Sequence, residues 1–225
     1  LPAMVTPSAP PAPGPGSDPL APLRSPSFLS ELGRKAIHLS FIVLPLDLLF
    51  EALPWPRGRA QWTLLLALLA LGALALDLLR LRERRVRRLF RDFVGGMLRE
   101  HERLGLLGST YLLMAALLAV DLFPRPVAVA ALGFTVLGDA FAAIVGKAWG
   151  RTRVFRKSLE GALGGLGACL AWAAFLAALG ILPWPVLAAG ALAASLVEIL
   201  PIPLDDNLGM TLMAAVVMRL LWSPG

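Results

Sequence analysis

Apolar runs of about 20 residues recur along almost the whole of this chain, and no other feature restricts its fold as tightly. At roughly 1.5 Å rise per residue, a run of about that length crosses the hydrocarbon core of a bilayer as a helix. Seven such runs can be drawn, at 36–53, 60–79, 106–123, 127–145, 163–182, 186–200 and 208–221. Pro54, Pro56, Pro124, Pro126, Pro183 and Pro185 punctuate the joins, where a residue without an N–H cannot continue a hydrogen-bonded helix. Pro45 and Asp47 predict an irregularity in the first run. The sixth, short and followed by Pro201 and Pro203, predicts a broken or re-entrant helix. The chain is 57% hydrophobic and only 16% charged, less charge than a soluble domain of this length carries. These features predict an all-α, polytopic membrane helix bundle of about seven transmembrane spans, occupying residues 28–225. Residues 1–27, rich in Pro, Ala, Gly and Ser, cannot bury enough apolar area to offset their ordering entropy and predict a disordered tail.

The net charge of +6 is unevenly spread. All but four of the 21 basic residues fall before the first run, between the second and third, or between the fourth and fifth; the exceptions are Arg57, Arg59, Arg125 and Arg219. With alternating spans those three segments share one side, which the positive-inside rule assigns to the cytoplasm. Trp55, Trp62, Trp184 and Trp222 then fall near the opposite interface, as aromatic belts do. The arginine run from Arg80 to Arg91 predicts a juxtamembrane helix meeting anionic headgroups rather than a nucleic-acid site. His101 reads as solvated surface in that basic loop. The single cysteine, Cys169, excludes an intrachain disulfide and a cysteine-built metal site, and reads as a small core residue. Zinc spacings, a nucleophile elbow, a P-loop and a dinucleotide fingerprint are all absent from the sequence.

Ionisable groups beside apolar runs are costly, so they mark candidate sites. Glu31, Arg34, Lys35 and His38 share one helical face by their spacing. A plain helix entry with Glu31 paired to Lys35 accounts for three of them and leaves His38 unexplained. Asp77 and Arg80 read equally as an interfacial ion pair or as site residues. Ser109 and Thr110 could bind phosphate or cap a helix. Around the fourth join, Gly138, Asp139, Gly146, Lys157, Ser158, Glu160 and Gly161 put glycine, acid, lysine and acid about one loop. A helix start with a lysine beside it suits an anion, and a carboxylate nearby suits Mg²⁺, which takes oxygen ligands and bridges to phosphates. The plainer reading of Gly146 and Gly150 is close helix packing. Finally, Glu198, Asp205, Asp206 and Asn207 flank a proline-broken segment. Irregular backbone at that depth is tolerated only inside protein or along a polar cavity, though Asp205 alone could be an N-cap.

These segments resemble the family of dolichol kinases, phytol kinases and CTP-dependent diacylglycerol kinases. The likeness lies in E-x-x-R-K-x-x-H (Glu31, Arg34, Lys35, His38), G-D-x-x-A-x-x-x-G (Gly138, Asp139, Ala142, Gly146), K-S-x-E-G (Lys157, Ser158, Glu160, Gly161) and a late E…D-N pair (Glu198, Asp206, Asn207). It covers about Phe28 to the C-terminus. The K-x-x-E-G turn is also similar to that of phosphatidate cytidylyltransferases, whose long C-terminal signature is missing here. The resemblance implies a membrane enzyme that phosphorylates a lipid alcohol (a polyprenol, phytol or diacylglycerol) with CTP and Mg²⁺ at the cytoplasmic face, among membrane lipids and without nucleic acid. It implies Asp139, Lys157, Glu160, Glu198 and Asp206 as catalytic residues. Asp139 and Asp206, with Glu198 a third candidate, would hold the metal, and Lys157 with Arg34 or Lys35 would neutralise charge. Glu160 or another acid would take the hydroxyl proton. Glu31, Arg34, Lys35, His38, Gly138, Gly146, Ser158, Gly161 and Asn207 would line the substrate or nucleotide site. The rival readings are CDP-lipid synthesis and a non-catalytic lipid-binding or transport bundle. A transporter should place acids near the bilayer midplane and show two similar halves; this sequence shows no repeat, and its acids are expected at one face.

Overall fold

The computed structural model describes residues 26–94 and 105–223. The stretch expected as a tail lies outside them, apart from Pro26 and Ser27, and so does His101. The chain is an all-α membrane helix bundle: α1 (Pro26–Ser40), α2 (Val43–Phe50), α3 (Gly58–Arg82), α4 (Arg84–Val94), α5 (Gly108–Leu122), α6 (Arg125–Trp149), α7 (Leu159–Ala178), α8 (Trp184–Ile199) and α9 (Asp206–Leu221). Between α6 and α7 lies a feature the sequence did not suggest, an antiparallel pair of two-residue strands, β1 (Arg153–Val154) and β2 (Lys157–Ser158).

Helix α6 is the axis of the bundle. It is apolar all round, and Val127 to Val136 are buried without interruption; a helix with no polar face belongs inside. Helices α1, α2, α5, α7, α8 and α9 all pack against it. Helix α3 is the opposite case, packing against α5 and exposing Leu64, Leu68, Leu69, Leu71, Leu76, Leu78 and Leu79. Only 22% of its apolar window is buried, against 78% for α6. An exposed leucine surface of that extent suits lipid, not water. Among the described residues α3, α6 and α7 are long and apolar enough to cross a bilayer, while α5 and α8 are apolar but shorter.

Each departure from the expected spans has a local cause. The first run splits into α1 and α2 at Phe41 and Ile42. Pro45 cannot donate to the Phe41 carbonyl, which instead accepts from Leu44 N at 3.0 Å. The fifth run does not continue to residue 182. Gly180 adopts φ +69°, and Ile181 N and Gly180 N donate to the carbonyls of Leu176 and Ala177. These are the two bonds of a Schellman stop. The sixth run is an unbroken helix, α8, and the break follows it. Asp205 caps α9 by accepting from Asn207 N at 2.9 Å, which starts that helix two residues before the expected 208. Pro124 and Pro183 occupy the N-cap positions of α6 and α8, where a missing N–H costs nothing.

The tightest contact joins α6 to α7 through glycine, in keeping with the plain packing reading of this stripe. A Cβ at Gly161 would lie 2.7 Å from the Ala142 carbonyl oxygen, and one at Gly138 2.7 Å from Cys169 Sγ. Gly161→Ala should therefore lower the thermal unfolding temperature in detergent, with overpacking costing about 1–3 kcal/mol. Gly167, in the same helix, has nothing within 4 Å of an added Cβ. Gly167→Ala should leave the temperature unchanged or raise it, by up to about 1 kcal/mol.

Candidate functional site

Most buried polar residues lie in the half of the bundle where α1, α6, α8, α9 and the β hairpin converge, while Asp47 is buried on α2 toward the other end. Lys35 is wholly buried on α1 and donates to Asp139 Oδ2 on α6. His38, one turn further along, places Nε2 3.5 Å from the same oxygen. The second half is built on Lys157, whose ammonium lies 3.1 Å from Glu198 Oε1 and 2.9 Å from Asp206 Oδ2 and also donates to the Glu198 carbonyl. Asp139 is within electrostatic reach of both Glu198 and Asp205, so the two halves form one cluster. Burial alone would pull the Lys157 ammonium down, but the carboxylates of Asp206 and Glu198 outweigh it and hold its pKa above the ordinary lysine value. Burial raises the Asp205 carboxyl against the lowering effect of its bond from Asn207.

Three polar atoms here are buried without a hydrogen-bond partner: His38 Nε2, Glu198 Oε2 and Asn207 Oδ1. Buried polar groups are ordinarily satisfied; Asp47 Oδ2, Trp172 Nε1 and Ser195 Oγ are also without a partner, so these three atoms are read together with the charges around them and not by their number. Among the described residues no group of three His, Cys, Asp or Glu side chains is arranged to hold a metal ion. Mg²⁺ in phosphate chemistry needs only one or two carboxylates, the phosphates completing its shell. The donors fit that case. The acids Asp139, Glu198, Asp205 and Asp206 outnumber the lysines Lys35 and Lys157, and the unpartnered Glu198 and Asn207 atoms are oxygens.

Other expected site residues have local roles. Glu31 binds Arg34, through Nε at 3.4 Å and through Nη2, while Lys35 donates to Asp139. Lys35 is drawn to the deeper carboxylate, where an ammonium is needed more. Ser158 caps α7 by accepting from Gly161 N at 3.2 Å. Gly138, Gly146 and Gly161 line the close approach of α6 and α7. Glu160 accepts from Arg151 N at 3.1 Å and Thr152 N at 3.0 Å, so it closes the hairpin instead of facing the cluster. Asp77 and Arg80 form a structural clamp. Asp77 Oδ1 takes Arg80 Nη2 at 3.0 Å, while Oδ2 takes Leu107 N at 2.9 Å and the Thr110 hydroxyl at 2.7 Å. That clamp holds the start of α5, where the Gly108 carbonyl accepts from Asn207 Nδ2 at 3.1 Å.

The sequence reading passed over Thr135 and Thr211, which are fully buried with hydroxyl oxygens 2.7 Å apart. They stand one turn from Asp139 and Asn207, and a threonine one turn from an acid within an apolar run was the available signal. It also set Asp139 too near its helix end. Helix α6 continues past 145 to Trp149, leaving Asp139 about 15 Å inside that end of a helix about 37 Å long, nearer the middle of α6 than the one-face expectation had it. At the far end of the bundle a separate cavity of about 150 Å³ is lined by Trp62, Phe123, Arg59, Arg125 and neighbours. Arg125 there pairs with Glu51 at 2.6 Å.

The buried pair predicts a strong asymmetry. Lys35→Met leaves the Asp139 carboxylate buried beside no ammonium from α1 and should destabilise the protein by about 3–5 kcal/mol. Adding Asp139→Leu should recover most of that loss, as read by thermal unfolding of the single and double variants. The pairing of Lys157 behaves differently with pH. A raised folded-state pKa means its stabilisation is complete below the ordinary lysine value and is lost only as pH climbs through the raised one. Stability should therefore be flat on this account through neutral pH and fall in alkali.

No protein-family model matches the chain, and no curated protein or solved structure matches it either.

Proposed function

We propose that this chain is a lipid kinase that transfers the terminal phosphoryl group of a nucleotide triphosphate, CTP in the first instance, to a lipid alcohol at the cytoplasmic membrane face. The observation that carries the reading is the gathering of Lys35, His38, Asp139, Lys157, Glu198, Asp206 and Asn207 in one half of a largely apolar bundle. These residues come from the four motifs that resemble polyprenol kinases. The half they occupy also carries the basic connections, which favours a cytoplasmic location.

Phosphoryl transfer needs little covalent help from a protein, and positioning with charge neutralisation dominates. Lys157 and Lys35 would exchange carboxylate partners for phosphate oxygens as the nucleotide enters. Asp139 and Asp206 would hold Mg²⁺, which when bound offsets the negative charge of the phosphates. Glu160 is committed to the hairpin, so the hydroxyl proton falls to a cluster acid. Glu198, with one oxygen buried and unpartnered, is the acid we assign. The lipid reaches the cluster sideways from the bilayer, so that its hydroxyl meets the nucleotide at the interface.

Following label from two forms of CTP into lipid tests the reading directly. With γ-³²P the label should appear in a phosphorylated lipid and CDP should be released. Entry of α-³²P into a CDP-lipid with loss of pyrophosphate would replace the kinase by a cytidylyltransferase, and no labelled lipid at all would favour a non-catalytic bundle. Asp139→Asn should reduce γ transfer per folded molecule by at least about a hundredfold, roughly the worth of one strong charge contact in the transition state. The folded fraction is fixed by thermal unfolding, because the change also leaves the buried Lys35 ammonium without its carboxylate.

Orientation is tested separately, in a Cys169→Ala background. A cysteine replacing Arg153 should resist an impermeant thiol reagent in intact cells, and one replacing Arg57 should react. Labelling of the Arg153 position from outside would put the cluster on the wrong side for a cytoplasmic nucleotide.

A further inference from the structure

Among the described residues α4 is the most strongly amphipathic helix, and the lipid kinase reading gives it no role. A single residue, Glu83, joins it to α3, one of the helices able to cross the bilayer. It therefore cannot leave the membrane interface, and it lies at the end that holds the acid and lysine cluster. Val86 and Phe90 turn inward and are half-buried. Arg87 reaches back to the carbonyls of Arg80 (3.3 Å) and Leu81 in the last turn of α3, the position where a cation serves a helix end. Arg84, Arg85 and Arg88 remain exposed on the other face, beside Leu89, which is 59% exposed. Three guanidiniums around an exposed leucine suit a layer of anionic headgroups, with the leucine entering the acyl boundary.

The inner face of α4 is connected to the cluster through contacts described above. The Arg80 guanidinium lies 5.4 Å from the centre of the Phe90 ring and also grips Asp77 and, at 2.7 Å, the Gly105 carbonyl. Asp77 holds Leu107 and Thr110, and Gly108 between them holds Asn207. Arg80 thus touches α4 on one side and the clamp on the other.

We propose that α4 senses anionic lipid. Headgroups drawn to Arg84, Arg85 and Arg88 fix α4 against the membrane, which steadies Arg80 on Phe90, and the Asp77 clamp passes that order to the start of α5 and to Asn207. Lipid sensing stands on these contacts alone; any effect on turnover rests on the kinase reading.

Backbone hydrogen exchange tests this without substrate, on the full chain in nanodiscs of phosphatidylcholine with and without phosphatidylglycerol. Each arginine near an anionic surface is worth about fivefold in affinity, so exchange across Arg84–Phe90 and Leu107–Thr110 should slow by roughly tenfold or more in the anionic discs. Replacing Arg84, Arg85 and Arg88 together by Gln should abolish both changes. Arg80→Lys, which keeps the charge but loses the planar fork, should preserve the response of α4 and remove that of Leu107–Thr110. Phe90→Leu, which leaves the Asp77 clamp intact, should do the same and serves if Arg80→Lys does not fold. Equal exchange in the two lipids would overturn the proposal, as would a response in α4 that never reaches Leu107–Thr110 in the native chain. A chain that responds to lipid but transfers no phosphoryl group would sink the kinase reading and leave this inference standing.

Discussion

The carboxylate of Asp139, inside a bundle of leucine and alanine, is met by a cation from a distant part of the chain, and that pairing organises the core of this protein. Asp139 is 7% exposed and sits on the central helix, so its partner has to arrive through the bundle wall. Lys35 does so from 104 residues away, and its path fixes how α1 lies on α6. The same demand recurs at Glu198 with Lys157, while Asp77 is met by Arg80 one turn along its own helix and reaches α5 through Leu107 and Thr110. The Lys35–Asp139 and Lys157–Glu198 pairs stitch together segments that apolar packing would leave free to slide, because leucine against leucine is much the same in any register. Whether such pairs add net stability matters less than their effect on register.

Glycine and proline supply the second layer of control. Gly138, Gly146 and Gly161 bring α6 and α7 close enough for the hairpin between them to be short. That shortness delivers Lys157 to the mouth of the bundle, where Glu198 and Asp206 wait. Pro201 and Pro203 do related work on the other side, separating α8 from α9 so that Glu198 ends one helix as Asp206 begins the next.

Most of the architecture was legible in the sequence because lipid imposes simple rules: length, apolarity and prolines at the joins. The breaks were harder, since they depend on single backbone groups. Pro45 was visible as an irregularity, but the fold breaks at Phe41 and Ile42, where the carbonyl it fails to serve is found. Gly180 looked like one more small residue of an apolar run until its left-handed backbone ended α7. In the site, the i, i+3, i+4, i+7 pattern correctly put Glu31, Arg34, Lys35 and His38 on one face. Partner choice was not legible, since helical spacing offers Glu31 either Arg34 or Lys35 and only the position of Asp139 decides between them. Glu160 has the same limit: sequence places it beside Lys157 but cannot say that two backbone amides of the hairpin donate to it.

The unbroken buried stretch from Val127 to Val136 has an electrical consequence. It separates Arg125 at one end of α6 from Asp139 nearer the other with ten residues that offer an ion no side-chain stepping stone except Thr135. If α6 spans an energised membrane, part of the voltage falls across this stretch, and a lone charge moved through the full field would do work of about 2.3 kcal/mol per 100 mV. Asp139 and Lys35, however, are opposite charges at one depth, so the forces on them cancel and the pair as a unit is blind to the voltage. The Lys35–Asp139 pair therefore passes no net electrical pull to α1 and α6, whether the membrane is polarised or not.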